Sequence, residues 1–137
     1  MGPVNRYAPP VAVMALIFGL SATPDLNSGL GAWDLWLRKA AHVTIFAALW
    51  LTLMRATDWR RPLLATAITL LYAISDEYHQ TFVGGRHGSP VDVGIDAAGV
   101  GLAALAWAMT TRRRGRPGPP WPMPPLRAAG STASRAP

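Results

Sequence analysis

The stretch PLLATAITLLYAI, residues 62–74, decides the fold. It contains no charged residue, and its polar groups are limited to Thr66, Thr69 and Tyr72. A helix in a soluble bundle needs a polar stripe that faces water. Because this stretch has no such stripe, it favours a helix that is surrounded by other apolar helices and by lipid.

Three other stretches have the same character, and between residues 40 and 54 the only ionisable group is His42. The predicted helices span about residues 7–23, 33–54, 62–82 and 90–110. No single one contains the unbroken run of about 18 apolar residues that identifies a spanning helix by itself. Taken together, they predict an all-α, four-helix transmembrane bundle.

Composition divides the chain into a neutral body and a basic tail. Half of the residues are hydrophobic and 15% are charged, against a usual charged share of about 25%. The tail is rich in arginine and proline. The expected organisation is a membrane domain over residues 1–111 and a disordered, cytoplasmic tail over residues 112–137. A basic tail beside a neutral body indicates membrane lipids as partners and no nucleic acid.

Charge placement predicts the orientation in the cell membrane. With four spans, one side carries Arg6, Arg55, Arg60, Arg61 and the tail arginines, and the other carries Arg38, Lys39 and Arg86. Positively charged loops lie in the cytoplasm, so a multi-pass protein with both termini cytoplasmic is expected. An alternative for the first segment is a secretory signal peptide that ends near residues 21–23.

A polar segment, SDEYHQTFVGGRHGSPVDVGID at residues 75–96, interrupts the apolar sequence. The predicted orientation places most of the acids and all of the histidines at the extracytoplasmic end of the bundle. Ionisable groups at membrane depth are costly and usually face the bundle interior. The segment therefore predicts a functional site at that end.

Helical periodicity predicts that three polar faces converge there. The second helix places Lys39, His42 and Phe46 on one face, and the fourth places Asp92, Asp96 and Gly99 on one face. In the third helix the shared face comprises Thr66, Thr69, Ala73, Asp76 and Gln80, with Leu70, Leu71 and Ile74 off that face. Close helix approach is expected at small residues of the fourth helix, namely Gly94, Ala97, Ala98, Gly101 and Ala104.

The sequence resembles the VanZ-like family of small bacterial membrane proteins, named for a protein linked to teicoplanin resistance. The matching pieces are SATP (21–24), RKAAHVTIF (38–46), DEYHQTFVGGR (76–86) and SPVDVGIDAAGVG (89–101). The resemblance covers roughly residues 8–110. Gly84 stands where the family often has proline, and Asp96 where asparagine is common. The resemblance implies a multi-span envelope protein associated with glycopeptide tolerance.

Roles for the polar residues follow from their chemistry. In the catalytic hypothesis Glu77 is a general base, His42 relays the proton and Asp96 orients it, with Asp92 as a further catalytic candidate. The predicted substrate-binding residues are Arg86, Gln80, Lys39, Asp76 and His79. Two alternatives stay open. Asp92 could form a capping box with Ser89, and Arg86 could serve only to pair with Glu77 or Asp92.

Several functions fit this set. The first is an enzyme that acts on an envelope lipid or lipid-linked precursor. The second is a protein that recognises a lipid, a precursor or a glycopeptide antibiotic without turnover. No cofactor is expected, but a divalent metal is an alternative, bound by Asp76, Glu77, Asp92 and Asp96 with His79 or His42. A transporter is the remaining alternative.

Overall fold

The computed structural model describes residues 2–24 and 31–114, except for the side chains of residues 32, 35, 113 and 114. The predicted loop acid Asp25 lies outside the described residues. So do residues 115–137, which form most of the segment predicted to be a disordered tail.

The described residues form four helices and no strand, which confirms the predicted all-α class. The helices are α1 (Pro3–Ser21), α2 (Ala32–Ala56), α3 (Pro62–Gln80) and α4 (Pro90–Arg114). A proline begins α1, α3 and α4, at a position where a helix has no use for the missing N–H. Two predicted boundaries were wrong. α1 begins at Pro3 instead of about residue 7, and α4 continues to Arg114, so residues 112–114 are helical.

α2 contributes the largest buried side chains to both apolar clusters of the core. One cluster joins Trp50 and Met54 to residues of α3 and α4, and the other joins Phe46 and Leu49 to Ile17 of α1 and to α3. These α2 side chains are fully buried. The indole Nε1 of Trp50 also donates a hydrogen bond of 2.9 Å to Thr66 Oγ1, so the buried polar group of the ring is satisfied.

The outer surface of the bundle is strongly apolar. Within the described residues, α2 and α4 are long and apolar enough to cross a membrane, over Trp36–Ala56 and Pro90–Arg112. α1 and α3 also leave large apolar side chains exposed, including Phe18, Leu63 and Leu71. Leu71 and Ile74 are exposed as predicted, but Leu70 packs against the core cluster.

α4 approaches the backbone of α2 at Gly99. A Cβ atom built there would lie 3.0 Å from the carbonyl carbon of Val43, and closer still to its carbonyl oxygen. The prediction that Gly94 and Gly101 allow this approach was wrong, since a Cβ at either would meet no atom within 4 Å. The contact fixes the register of α2 against α4 beside His42 and Asp96.

Candidate functional site

A polar cavity of about 230 Å³ lies at one end of the bundle, between α2, α3, α4 and the loop that joins α3 to α4. The structure brings together six of the predicted site residues in its wall: Lys39, His42, Glu77, Gln80, Arg86 and Asp92. Arg38 and His87 also line the cavity. Neither was in the predicted set, although both lie in polar sequence next to members of it.

Two polar pairs join α2 to α4 at this cavity. Lys39 Nζ lies 2.7 Å from Asp92 Oδ1, and His42 Nδ1 lies 2.9 Å from Asp96 Oδ1. Lys39 and Asp92 are each about a third exposed, whereas the Asp96 side chain has no exposed surface. The predicted polar faces of α2 and α4 therefore meet, with Phe46 buried behind them.

Glu77 is buried, and both of its carboxylate oxygens accept hydrogen bonds. Oε1 accepts from Gln80 Nε2 at 3.1 Å, and Oε2 accepts from the backbone N–H of Ser89 at 2.9 Å. In a capping box that N–H would bond to the Asp92 carboxylate. The capping box is not formed, because Glu77 of α3 takes this N–H and Asp92 binds Lys39 instead.

Asp76 is buried but does not line the cavity. Its Oδ2 accepts hydrogen bonds from Ser21 Oγ at 2.8 Å and from Gln80 Nε2 at 3.0 Å. These contacts tie the last residue of α1 to α3. Ser21 was not among the predicted site residues, although a serine at the end of an apolar helix can donate a hydrogen bond to a buried carboxylate.

Arg86 binds the carboxyl end of α1. Its guanidinium donates to Leu20 O at 2.8 Å and to Thr23 O at 3.1 Å. The proposed pairing with Glu77 or Asp92 was wrong, since no ion pair joins them among the described residues. The reason is that carbonyls at a helix end lack intrahelical partners and carry partial negative charge.

His79 lies on another surface of α3. Its ring stacks on Phe18 with centroids 4.7 Å apart, and it does not line the cavity. The structure thus places this predicted substrate-binding residue in the α1–α3 interface.

An apolar groove of about 380 Å³ runs between α3 and α4 on the outside of the bundle. The residues that line it include Ile74, Tyr78, Val93 and Glu77. Glu77 also lines the polar cavity. One buried carboxylate therefore lies between a polar and an apolar compartment.

The model of the VanZ/LLP1 family matches residues 6–111. The chain belongs to the VanZ/LLP1 family. The match includes every residue of the cavity, which confirms the resemblance read from the sequence motifs. Searches of curated proteins and of solved structures gave no significant match.

Membership of the VanZ/LLP1 family and the two helices able to cross a membrane together indicate a membrane protein. The helices α2, α3 and α4, which supply the cavity, lie within the matched region almost completely. The polar cavity thus lies within the region that matches the VanZ/LLP1 family.

Proposed function

We propose that all four helices of this VanZ/LLP1 protein cross the cell membrane. Apolar exposure on α1 and α3 supports four spans, since Val11, Phe18, Leu63 and Leu71 are each more than half exposed. An exposed apolar surface of this kind on a water-soluble protein would be an aggregation hazard. In a bilayer it meets the acyl chains of lipids.

The proposed orientation has both termini in the cytoplasm and the cavity on the extracytoplasmic side. Arg6, Arg60 and Arg61 cluster at the end opposite to the cavity, which agrees with the rule that places positive loops in the cytoplasm. The chain has no cysteine, so single-cysteine variants report sidedness cleanly. Gly84→Cys should react with a membrane-impermeant maleimide in intact cells, and Trp59→Cys only after lysis. The reverse pattern would refute the orientation.

We further propose that the cavity binds the polar head of an envelope lipid or lipid-linked precursor, with a hydrocarbon chain in the α3–α4 groove. The position of Glu77 carries this proposal, because it lines both compartments. A ligand that fills both must be polar at one end and apolar at the other. A lipid in the bilayer reaches such a groove sideways, without leaving the membrane.

The charge of the cavity favours an anionic head group. Its wall holds three cationic side chains, Arg38, Lys39 and Arg86, against two carboxylates, Glu77 and Asp92. A guanidinium binds phosphate through two parallel hydrogen bonds. Phosphate or pyrophosphate is therefore the expected head group, and native mass spectrometry of the purified protein should detect a bound phospholipid or isoprenoid phosphate.

The biological role that we propose is glycopeptide tolerance, which the family resemblance implies. The test expresses the wild type, Glu77→Gln and Asp58→Asn in a sensitive bacterium at equal membrane levels and measures teicoplanin susceptibility. Asp58 is the matched control because it pairs with Arg6 at the opposite end of the bundle. We expect tolerance with the wild type and Asp58→Asn, and none with Glu77→Gln. If expression of the wild type leaves teicoplanin susceptibility unchanged, the proposed role is contradicted.

A second candidate is a non-catalytic protein whose charged cluster is structural. It is favoured by the closed pairs Lys39–Asp92 and His42–Asp96, which join α2 to α4. This candidate predicts that Glu77→Gln retains full tolerance and that lipid binding is unchanged. It also predicts that removal of either pair lowers protein stability and tolerance together.

A further inference from the structure

Three potential metal ligands lie close together where α2, α3 and α4 meet, and two of them, His42 and Glu77, also line the cavity. His42, Glu77 and Asp96 each offer one nitrogen or oxygen atom, and these three atoms lie within 4.8 Å of one another. They come from α2, α3 and α4, so the site forms only when the three helices pack together. Catalytic metal centres typically have three protein ligands and leave a further coordination position open.

The second carboxylate oxygen of Asp96 provides independent support. Asp96 has no exposed surface, and its Oδ2 has no hydrogen-bond partner in the part of the chain that the structure describes. A buried acceptor of this kind is costly when it is left without a partner. Oδ1 already contacts His42, so the lone pairs of Oδ2 stay available to a bound ion.

Burial of two carboxylates at this spacing also calls for a positive charge. Glu77 is 5% exposed and Asp96 is fully buried, and like charges that share a buried site disfavour each other's ionisation. Lys39 binds Asp92, and Arg86 binds carbonyl oxygens of α1. Neither of these two cations is paired with a carboxylate of the trio, whereas His42 contacts Asp96 directly.

We propose that His42, Glu77 and Asp96 bind one divalent transition-metal ion. One imidazole with two carboxylates suits Zn²⁺ or Mn²⁺ better than Mg²⁺ or Ca²⁺, which prefer oxygen ligands alone. His42 and Glu77 line the polar cavity, so an open coordination position would face a molecule bound there. An ion in this position supplies Lewis acidity toward a phosphoryl oxygen.

This site rests on the proposed function only for the identity of the molecule in the cavity. The proposed site has fewer ligands than the metal site that the sequence offered as an alternative. Asp76 binds Ser21 and Gln80, Asp92 binds Lys39, and His79 stacks on Phe18. In this proposal Glu77 and Asp96 act as ligands, which replaces their predicted roles as base and orienting group.

The test measures metal stoichiometry on the full-length protein in detergent. The protein is stripped with a chelator and dialysed against increasing concentrations of ZnCl₂ or MnCl₂, and its metal content at each concentration is measured by mass spectrometry. We expect one ion per chain for the wild type. Glu77→Gln and Asp96→Ala should each weaken the binding of that ion at least about tenfold, as the loss of even an outer-shell partner does.

Asp58→Asn is the matched control, since it removes a carboxylate that pairs with Arg6 at the opposite end of the bundle, away from the trio. It should keep the wild-type stoichiometry. A wild type that retains neither ion, or a Glu77→Gln protein that binds as the wild type does, would overturn the metal site. Phospholipid detected on the metal-free protein would leave the proposed lipid function standing in that case, so the two failures are distinguishable.

Discussion

Gly99→Ala tests the packing that aligns α2 with α4. The new Cβ would lie 3.0 Å from the Cα and carbonyl carbon of Val43, whereas ordinary contact begins at 3.4 Å. The helices must therefore move apart by roughly 0.4 Å to relieve the contacts with the two carbon atoms, and by more to relieve the contact with the carbonyl oxygen. Overpacking of this kind costs about 1–3 kcal/mol. The movement would also stretch the His42–Asp96 contact, which is 2.9 Å long.

Gly101→Ala is the control that isolates the overpacking. It lies on the same helix, and its Cβ would meet no atom within 4 Å. Both substitutions gain the same helix propensity, about 1 kcal/mol, so this gain cancels between them. Unfolding by sodium dodecyl sulfate in bicelles, followed by tryptophan fluorescence, should show Gly99→Ala less stable than Gly101→Ala by about 1–3 kcal/mol. A difference below about 0.5 kcal/mol, the usual scatter of neutral substitutions, would refute the close approach.

Three further outcomes follow from contacts around the cavity. Gly88→Ala should loosen the α3–α4 loop, because the new Cβ would overlap the backbone of α3. Gly84→Ala is the control, since its Cβ would meet no atom within 4 Å. Hydrogen exchange in the loop should therefore rise for Gly88→Ala alone. Ser21→Ala should lower the free energy of unfolding by about 1–2 kcal/mol, and in a double-mutant cycle this loss should shrink when Asp76 is already replaced by alanine. Arg86→Lys should speed hydrogen exchange at the end of α1, because one ammonium cannot reproduce the guanidinium contacts to two carbonyls; unchanged exchange would contradict this.

The helices were predictable because their signals are local. Apolar runs, prolines at helix starts and the absence of charge between residues 62 and 74 are all written in consecutive residues. The shared face of Lys39, His42 and Phe46 was predictable for the same reason, since periodicity alone places them together. The extension of α4 through residues 112–114 contradicts the predicted start of the tail, because arginine is common in disordered basic tails but is also a good helix former.

The contacts between helices were less predictable. Periodicity gives the face of each helix but neither its partner nor the vertical offset between the two. Gly94, Gly99 and Gly101 are equally small, and only the packed structure shows that the backbone of α2 approaches Gly99. In the same way, nothing near Arg86 in sequence indicates that the carbonyls of Leu20 and Thr23 are its partners, because that contact depends on where α1 ends.

Glu77 carries a negative charge and also accepts a structural hydrogen bond. The choice of substitution decides which of these two properties is tested. Its Oε2 accepts the backbone N–H of Ser89 at the start of α4, so Glu77→Ala would remove a structural acceptor along with the charge. Glu77→Gln removes the negative charge but keeps a side-chain oxygen that can still accept this N–H, although the oxygen that accepts from Gln80 becomes an NH₂ group. If Glu77→Gln folds as the wild type does but loses metal and teicoplanin tolerance, the charge itself is required. If only Glu77→Ala has an effect, the residue serves mainly to cap α4.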